Sequence, residues 1–193
     1  QIKGSKPNAE VVLVVTGFSR GSTAARAFTN ELNRRGMPVL SSKLPDGSYG
    51  KHYATPRVGV MVLFDTVQMT VNRSFDLSIP ANVDNVLHLT ARDEKRSTYP
   101  LTSAKDPARP DDARINEVAL PGAHADIGGG YPNRYSQLPA QMARQYMRNA
   151  GVHLAPEDPK TQVHASDPDL RLHDSGSPLF GDSRTVFSST NPR

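Results

Sequence analysis

Two apolar runs constrain this chain most: Glu-Val-Val-Leu-Val-Val-Thr at residues 10–16 and Val-Gly-Val-Met-Val-Leu-Phe at residues 58–64. Neither alternates polar with apolar residues, so each reads as a strand buried on both faces, the habit of parallel sheets covered by helices. The first run stops at Gly-Phe-Ser-Arg-Gly (17–21), and a helix is predicted from about Ser19 to Arg35. Ala24, Ala25, Phe28 and Leu32 supply its apolar face and Gly36 its stop. Residues 38–56 read as a loop with a turn at Pro45, Asp46 and Gly47.

The second run ends on Asp65, Thr66 and Val67. A third strand is predicted at 85–90, running into Ala-Arg-Asp-Glu-Lys-Arg, and a fourth at 116–120, running into Pro-Gly-Ala-His-Ala-Asp-Ile-Gly-Gly-Gly-Tyr. A helix over 138–149 follows, with Ser136 as its cap and Gly151 beyond its end. Residues 154–193, rich in Pro, Asp and Ser, read as a loop-rich tail packed on the surface without joining the sheet. Strand, polar turn, then helix or long crossover, repeated, argues an α/β fold: a mostly parallel sheet with helices on both faces, forming one domain over residues 1–193. In such sheets ligands bind at the carboxyl ends of the strands, where the chemically interesting residues of this chain fall.

Composition removes several function classes. The absence of cysteine excludes disulfides, thiolate zinc and a cysteine nucleophile. No run approaches the roughly 18 apolar residues of a membrane span, and residues 1–7 lack the apolar core of a signal peptide. The net charge of +4 comes from mixed signs with no basic stripe, which argues against nucleic acid as a partner. No phosphate-binding Gly-x-x-x-x-Gly-Lys motif is present, and one His with one Asp does not make a metal site, so neither a cofactor nor a metal is expected. Asn72-Arg73-Ser74 fits a glycosylation sequon too short to carry weight.

Gly-Phe-Ser-Arg-Gly between a buried strand and a helix matches the Gly-x-Ser-x-Gly nucleophile elbow. In such a turn the serine backbone is strained, both glycines are expected to avoid collisions, and Ser19 Oγ projects at a helix N-terminus. The Arg20 amide there is the candidate oxyanion donor. A serine nucleophile needs a base, and the base a carboxylate. Asp65, 46 residues after Ser19 at the end of the second strand, and His124, 59 residues further just past the fourth, fall in the hydrolase order. Asp93 competes for the acid role but sits among Arg92, Lys95 and Arg96, whereas Asp65 has no cation beside it in sequence and its burial asks for a partner. His173 is the rival base, and Asp126 a supporting residue. His88 lies within a strand and is expected to be packed.

Four segments in one order carry a resemblance: Gly-Phe-Ser-Arg-Gly-Ser-Thr-Ala-Ala-Arg-Ala-Phe (17–28), Leu-Phe-Asp-Thr-Val (63–67), Ala-Arg-Asp-Glu-Lys-Arg (91–96) and Gly-Ala-His-Ala-Asp-Ile-Gly-Gly-Gly-Tyr (122–131). Together they resemble the α/β-hydrolase domain of bacterial type VI secretion lipase effectors of the Tle class. The likeness implies a phospholipase A activity on bacterial membrane phospholipids, with a triad falling on Ser19, Asp65 and His124. It further implies synthesis in the cytoplasm, export by the secretion apparatus into a rival's periplasm, and a cognate immunity protein. In that family strands precede the nucleophile strand, so an N-terminal segment or a second chain is expected to complete the sheet and supply the second oxyanion donor. The alternatives are a general carboxylesterase and a catalytically silent hydrolase-like binding module.

Overall fold

The computed structural model describes residues 11–43, 45–68, 75–164, 166–176 and 184–189. The start of the chain, including Glu10, and the Asn72-Arg73-Ser74 sequon lie outside them. The elements run β1 (Val12–Phe18), α1 (Arg20–Arg35), β2 (Met37–Lys43), β3 (Tyr49–Ala54), β4 (Arg57–Phe64), β5 (Val86–Ala91), β6 (Leu101–Thr102), β7 (Ile115–Leu120), α2 (His124–Ile127), α3 (Leu138–Asn149) and β8 (Val186–Phe187). Four strands form the central sheet in the order β1-β4-β5-β7, every neighbouring pair parallel. All four therefore point their carboxyl ends the same way. Among the described residues no helix is long and apolar enough to cross a membrane.

The pleat of β4 sorts its side chains between two cores. Met61 and Leu63 join Ala25 of α1 with Ile79, Val83 and Val86 on one face. Val60 and Val62 join Leu87, Leu89 and Ala143 of α3 on the other. This two-sided burial is what the unbroken apolar run of β4 anticipated.

Strand β1 departs from the same expectation. Its burial alternates, with Leu13 and Val15 against the core and Val12 and Val14 each more than 40% exposed. It lies at the edge of the described sheet, where only one of its faces is packed. The stretch read as a loop is instead an antiparallel pair, β2 with β3, around the foreseen turn at Pro45, Asp46 and Gly47. Helix α3 has the predicted bounds, but Ser136 is not its cap: Ser136 lies in the preceding 3-10 turn, and Gln137 holds the cap position with no side-chain cap bond. In the tail, β8 pairs with β6 in a separate two-stranded ladder and stays out of the central sheet.

Candidate active site

The turn after β1 is bolted to the end of β4. The Ser19 amide donates to the Phe64 carbonyl at 2.9 Å, and the Val67 amide donates to the Ser19 carbonyl at 3.3 Å. Buried Ser22 donates to the carbonyls of Gly17 and Phe64, and Thr23 to that of Val67. Ser19 sits at φ 59° and ψ −125°, a backbone that L-residues rarely adopt, and Arg20 opens α1 directly after it. Of the two motif glycines only Gly17 is sterically demanded: a Cβ there would meet the Gly21 carbonyl oxygen at 2.5 Å, whereas Gly21 faces open space. Helix packing against the strand end, not the φ of either glycine, explains the first and leaves the second without a steric reason.

Asp65, fully buried, follows β4 at φ 42°. Its amide donates to the Leu89 carbonyl of β5, and its Oδ1 accepts the Ala91 amide at 2.8 Å. Its Oδ2 lies 2.6 Å from His124 Nδ1 and accepts Arg184 Nη2, also at 2.6 Å. Burial alone would push this carboxyl up, but the His124 and Arg184 bonds and the Ala91 amide outweigh it and hold Asp65 below the ordinary carboxylate range. The partner that its burial demanded is thus double, and one half of it is a cation distant in sequence.

His124 opens α2 just past the end of β7, 5% exposed. Its ring packs against those of Phe18 and Tyr99, with centroids 4.6 and 4.9 Å away and both pairs tilted. Its amide donates to Glu94 Oε2, and Glu94 pairs with Arg96, whose guanidinium lies 3.9 Å over the Tyr99 ring. Burial opposes the Glu94 charge, yet Arg96, the His124 amide and Ser175 bring its pKa down to about 2. The glycine run lets the site close, because a Cβ on Gly128 would meet the Phe18 ring at 2.2 Å. With Nδ1–H directed at an ionised Asp65, the free lone pair of His124 is on Nε2, which suits the ring to take a proton.

The structure brings Asp65 and His124 into contact and sets Ser19 on the neighbouring strand end, with Phe18 against the imidazole. The other sequence candidates fall elsewhere. Asp93 pairs with Arg92 and accepts the Gly122 amide at the surface. Asp126, fully buried, accepts the amides of Ala123 and His173 and lies 2.8 Å from His173 Nδ1, while Tyr131 stacks on the His173 ring at 3.5 Å. Asp126 and His173 thus form a second carboxylate–histidine pair.

Sequence reasoning missed Arg184 and Arg26, and the bonding of His88. Arg184 carried no signal, standing in a segment with no periodicity. His88, packed as foreseen, is also bonded: Nε2 accepts the Thr66 amide and Nδ1 faces Glu117 at 2.8 Å. Arg26, wholly buried on α1, donates to the carbonyls of Leu77, Thr102 and Ser103. An arginine on an apolar helix face was the sign available for it. Among the described residues no three His, Asp or Glu side chains gather closely enough to hold a metal ion.

A parallel sheet with a strained serine turn after β1, a buried carboxylate after β4 and a histidine after β7 defines an α/β-hydrolase-like domain. The chain belongs to the family described as "T6SS, Phospholipase effector Tle1-like, catalytic domain", which it matches over residues 42–150, more than half of its 193. That span holds Asp65 and His124; Ser19 precedes it. No curated protein matches the sequence. Among solved structures, an uncharacterized protein from Pseudomonas aeruginosa superposes with a TM-score of 0.61 at 26% identity, over 83% of this chain and 27% of that one. The Tle1 effector bound to the VgrG spike of the type VI secretion system is 29% identical over 65% of this chain and 26% of that one, at a TM-score of 0.45. The chain therefore spans about a quarter of the length of each.

Proposed function

We propose that this chain carries the catalytic centre of a phospholipase that hydrolyses a carboxylic ester bond of bacterial membrane phospholipid. The observation that carries the reading is the 2.6 Å contact between Asp65 and His124, formed at the strand ends beside the Ser19 turn. His124 Nε2 takes the Ser19 hydroxyl proton, and Oγ adds to the ester carbonyl. Asp65 stabilises the resulting imidazolium. The Arg20 amide, at the positive end of α1, faces the developing oxyanion. Collapse breaks the carbonyl–alkoxy bond, His124 returns the proton to the lysophospholipid oxygen, and an acyl ester remains on Ser19. Water, activated by the same imidazole, then releases the fatty acid.

Membrane lipid as substrate, and delivery by a type VI secretion apparatus into a rival's periplasm, are supported by family membership. A cognate immunity protein belongs to the same reading. The test is fatty-acid release from vesicles of phosphatidylethanolamine and phosphatidylglycerol, with Ser19→Ala and His124→Ala alongside. Release by the unmutated protein, lost in both folded variants, is the expected result. Equal release by Ser19→Ala would falsify the covalent mechanism, and cleavage of small soluble esters alone would favour a general carboxylesterase.

A further inference from the structure

Arg184 reaches the site from the tail, and each of its three guanidinium nitrogens donates a hydrogen bond. Nε donates to the Tyr99 carbonyl at 2.7 Å, Nη1 to the Ala91 carbonyl at 2.9 Å and Nη2 to Asp65 Oδ2 at 2.6 Å. Its side chain is 7% exposed. A surface ion pair contributes little and is loosely held; this one is buried, planar and fastened at three points, so its position is determined by the fold.

The choice of acceptor is the informative part. Asp65 has two oxygens, and the one that takes Arg184 is the one that faces His124. The other is occupied by the Ala91 amide. A carboxylate paired with histidine alone favours the imidazolium strongly, which makes the ring a poor proton acceptor in mildly acidic surroundings. A permanent cation on the same oxygen offsets that attraction while keeping the carboxylate ionised and aimed.

The remaining charges around His124 leave this pair in control. Glu94 approaches from the segment after β5 but is neutralised by Arg96. Asp126, on the same short helix as His124, is turned to Ala123 and His173. The rings of Phe18 and Tyr99, with centroids 4.6 and 4.9 Å away, are uncharged neighbours, and Arg96 over Tyr99 is paired with Glu94.

We propose that Arg184 is a positioning residue for the Asp65–His124 pair, pinning the carboxylate and offsetting its charge so that the imidazole keeps its neutral, proton-accepting form as the pH falls. This rests on the hydrolase reading above. Two measurements separate the two ideas. The first is the pH profile of kcat/KM on phosphatidylglycerol vesicles for the unmutated protein, Arg184→Gln and Arg184→Lys. In Arg184→Gln the acid limb moves to higher pH by on the order of one unit, with KM little changed; Arg184→Lys returns the limb towards its original place. A limb that stays put in Arg184→Gln while kcat falls would make Arg184 a structural anchor and overturn the proposal.

The second measurement needs no turnover: the titration of the His124 ring followed by its carbon and nitrogen chemical shifts. Its midpoint rises in Arg184→Gln if the proposal holds, and an unmoved midpoint overturns it. Absent hydrolysis with a shifted midpoint would sink the lipase reading and leave the electrostatic role of Arg184 standing. Should Arg184→Gln fail to fold, Arg184→Lys decides alone: retained charge must leave the midpoint in place, and a shift comparable to loss of charge counts against it.

Discussion

Ser19 and Asp65 are the two non-glycine residues with positive φ among the described residues, and hydrogen bonds tie their two turns directly together. The Ser19 amide donates to the carbonyl of Phe64, the residue before Asp65. Each conformation costs on the order of 1–3 kcal/mol and persists because neighbouring bonds hold it. The strain is thus concentrated at the two strand ends that carry the proposed nucleophile and its distant carboxylate.

Ser19→Gly should therefore relieve strain while abolishing hydrolysis. Relative to Ser19→Ala, which loses the hydroxyl but keeps the Cβ, it should be more stable by roughly 1 kcal/mol. Denaturant unfolding of the two inactive variants checks this; equal midpoints would mean that the turn is unstrained.

The two glycines near the site should behave oppositely. Gly128→Ala drives a methyl into the Phe18 ring and so displaces the wall against which His124 rests. Activity should fall by roughly a hundredfold, the cost of a misplacement near 1 Å. Gly21→Ala meets open space inside α1 and should keep activity while stabilising the helix by up to about 1 kcal/mol. Activity assays and melting curves of the pair decide, and an inactive, well-folded Gly21→Ala would restore a steric or electrostatic reason for the motif's last glycine.

Acid should destabilise the fold in two steps. Burial pushes the His88 imidazole below its ordinary 6.5, so the unfolded chain takes up a proton there that the folded chain refuses. That stability is present above pH 6.5 and drains away as the pH falls below it. Glu117 is resisted by burial but brought down to about 2 from 4.5 by His88, the Ala104 amide and Ser103, so its contribution is complete above 4.5 and is lost on descending toward 2. Unfolding free energies measured from about pH 8 to about pH 3 should show both declines. His88→Gln should remove the upper one; its persistence there would refute the assignment.

Arg26 should be among the least replaceable residues. Arg26→Met leaves two buried carbonyls and one part-buried carbonyl without a donor and should cost about 3 kcal/mol or more. Arg26→Lys should recover little, because an ammonium on a single stem cannot reproduce the planar fork. A melting temperature for Arg26→Lys close to that of the unmutated protein would contradict this.

What could be read beforehand was local. The runs that became β4, β5 and β7, the elbow, and the bounds of α3 follow from periodicity and punctuation over a few residues, and Asp65 and His124 were found because they terminate such runs. The β2–β3 pair was hidden by Pro38 and Pro45, which signal loops, and by strands without clean alternation. The open face of β1 was hidden because a β-branched run looks alike whether one side or both are covered. Arg184 lies 119 residues from the carboxylate it holds. No short-range pattern records a contact between residues so far apart along the chain.

The two bonds that Asp65 makes to β5 bear on how the site could ever change. Its amide reaches Leu89 and its carboxylate reaches Ala91, so the side chain acts as one further rung of the ladder after the backbone of β4 has turned away. Architecture and the proposed reactivity are here a single set of bonds. Drift in the sheet register would misaim the Asp65 carboxylate, and a different residue at this position would fray the sheet, so neither can be altered while the other stays intact.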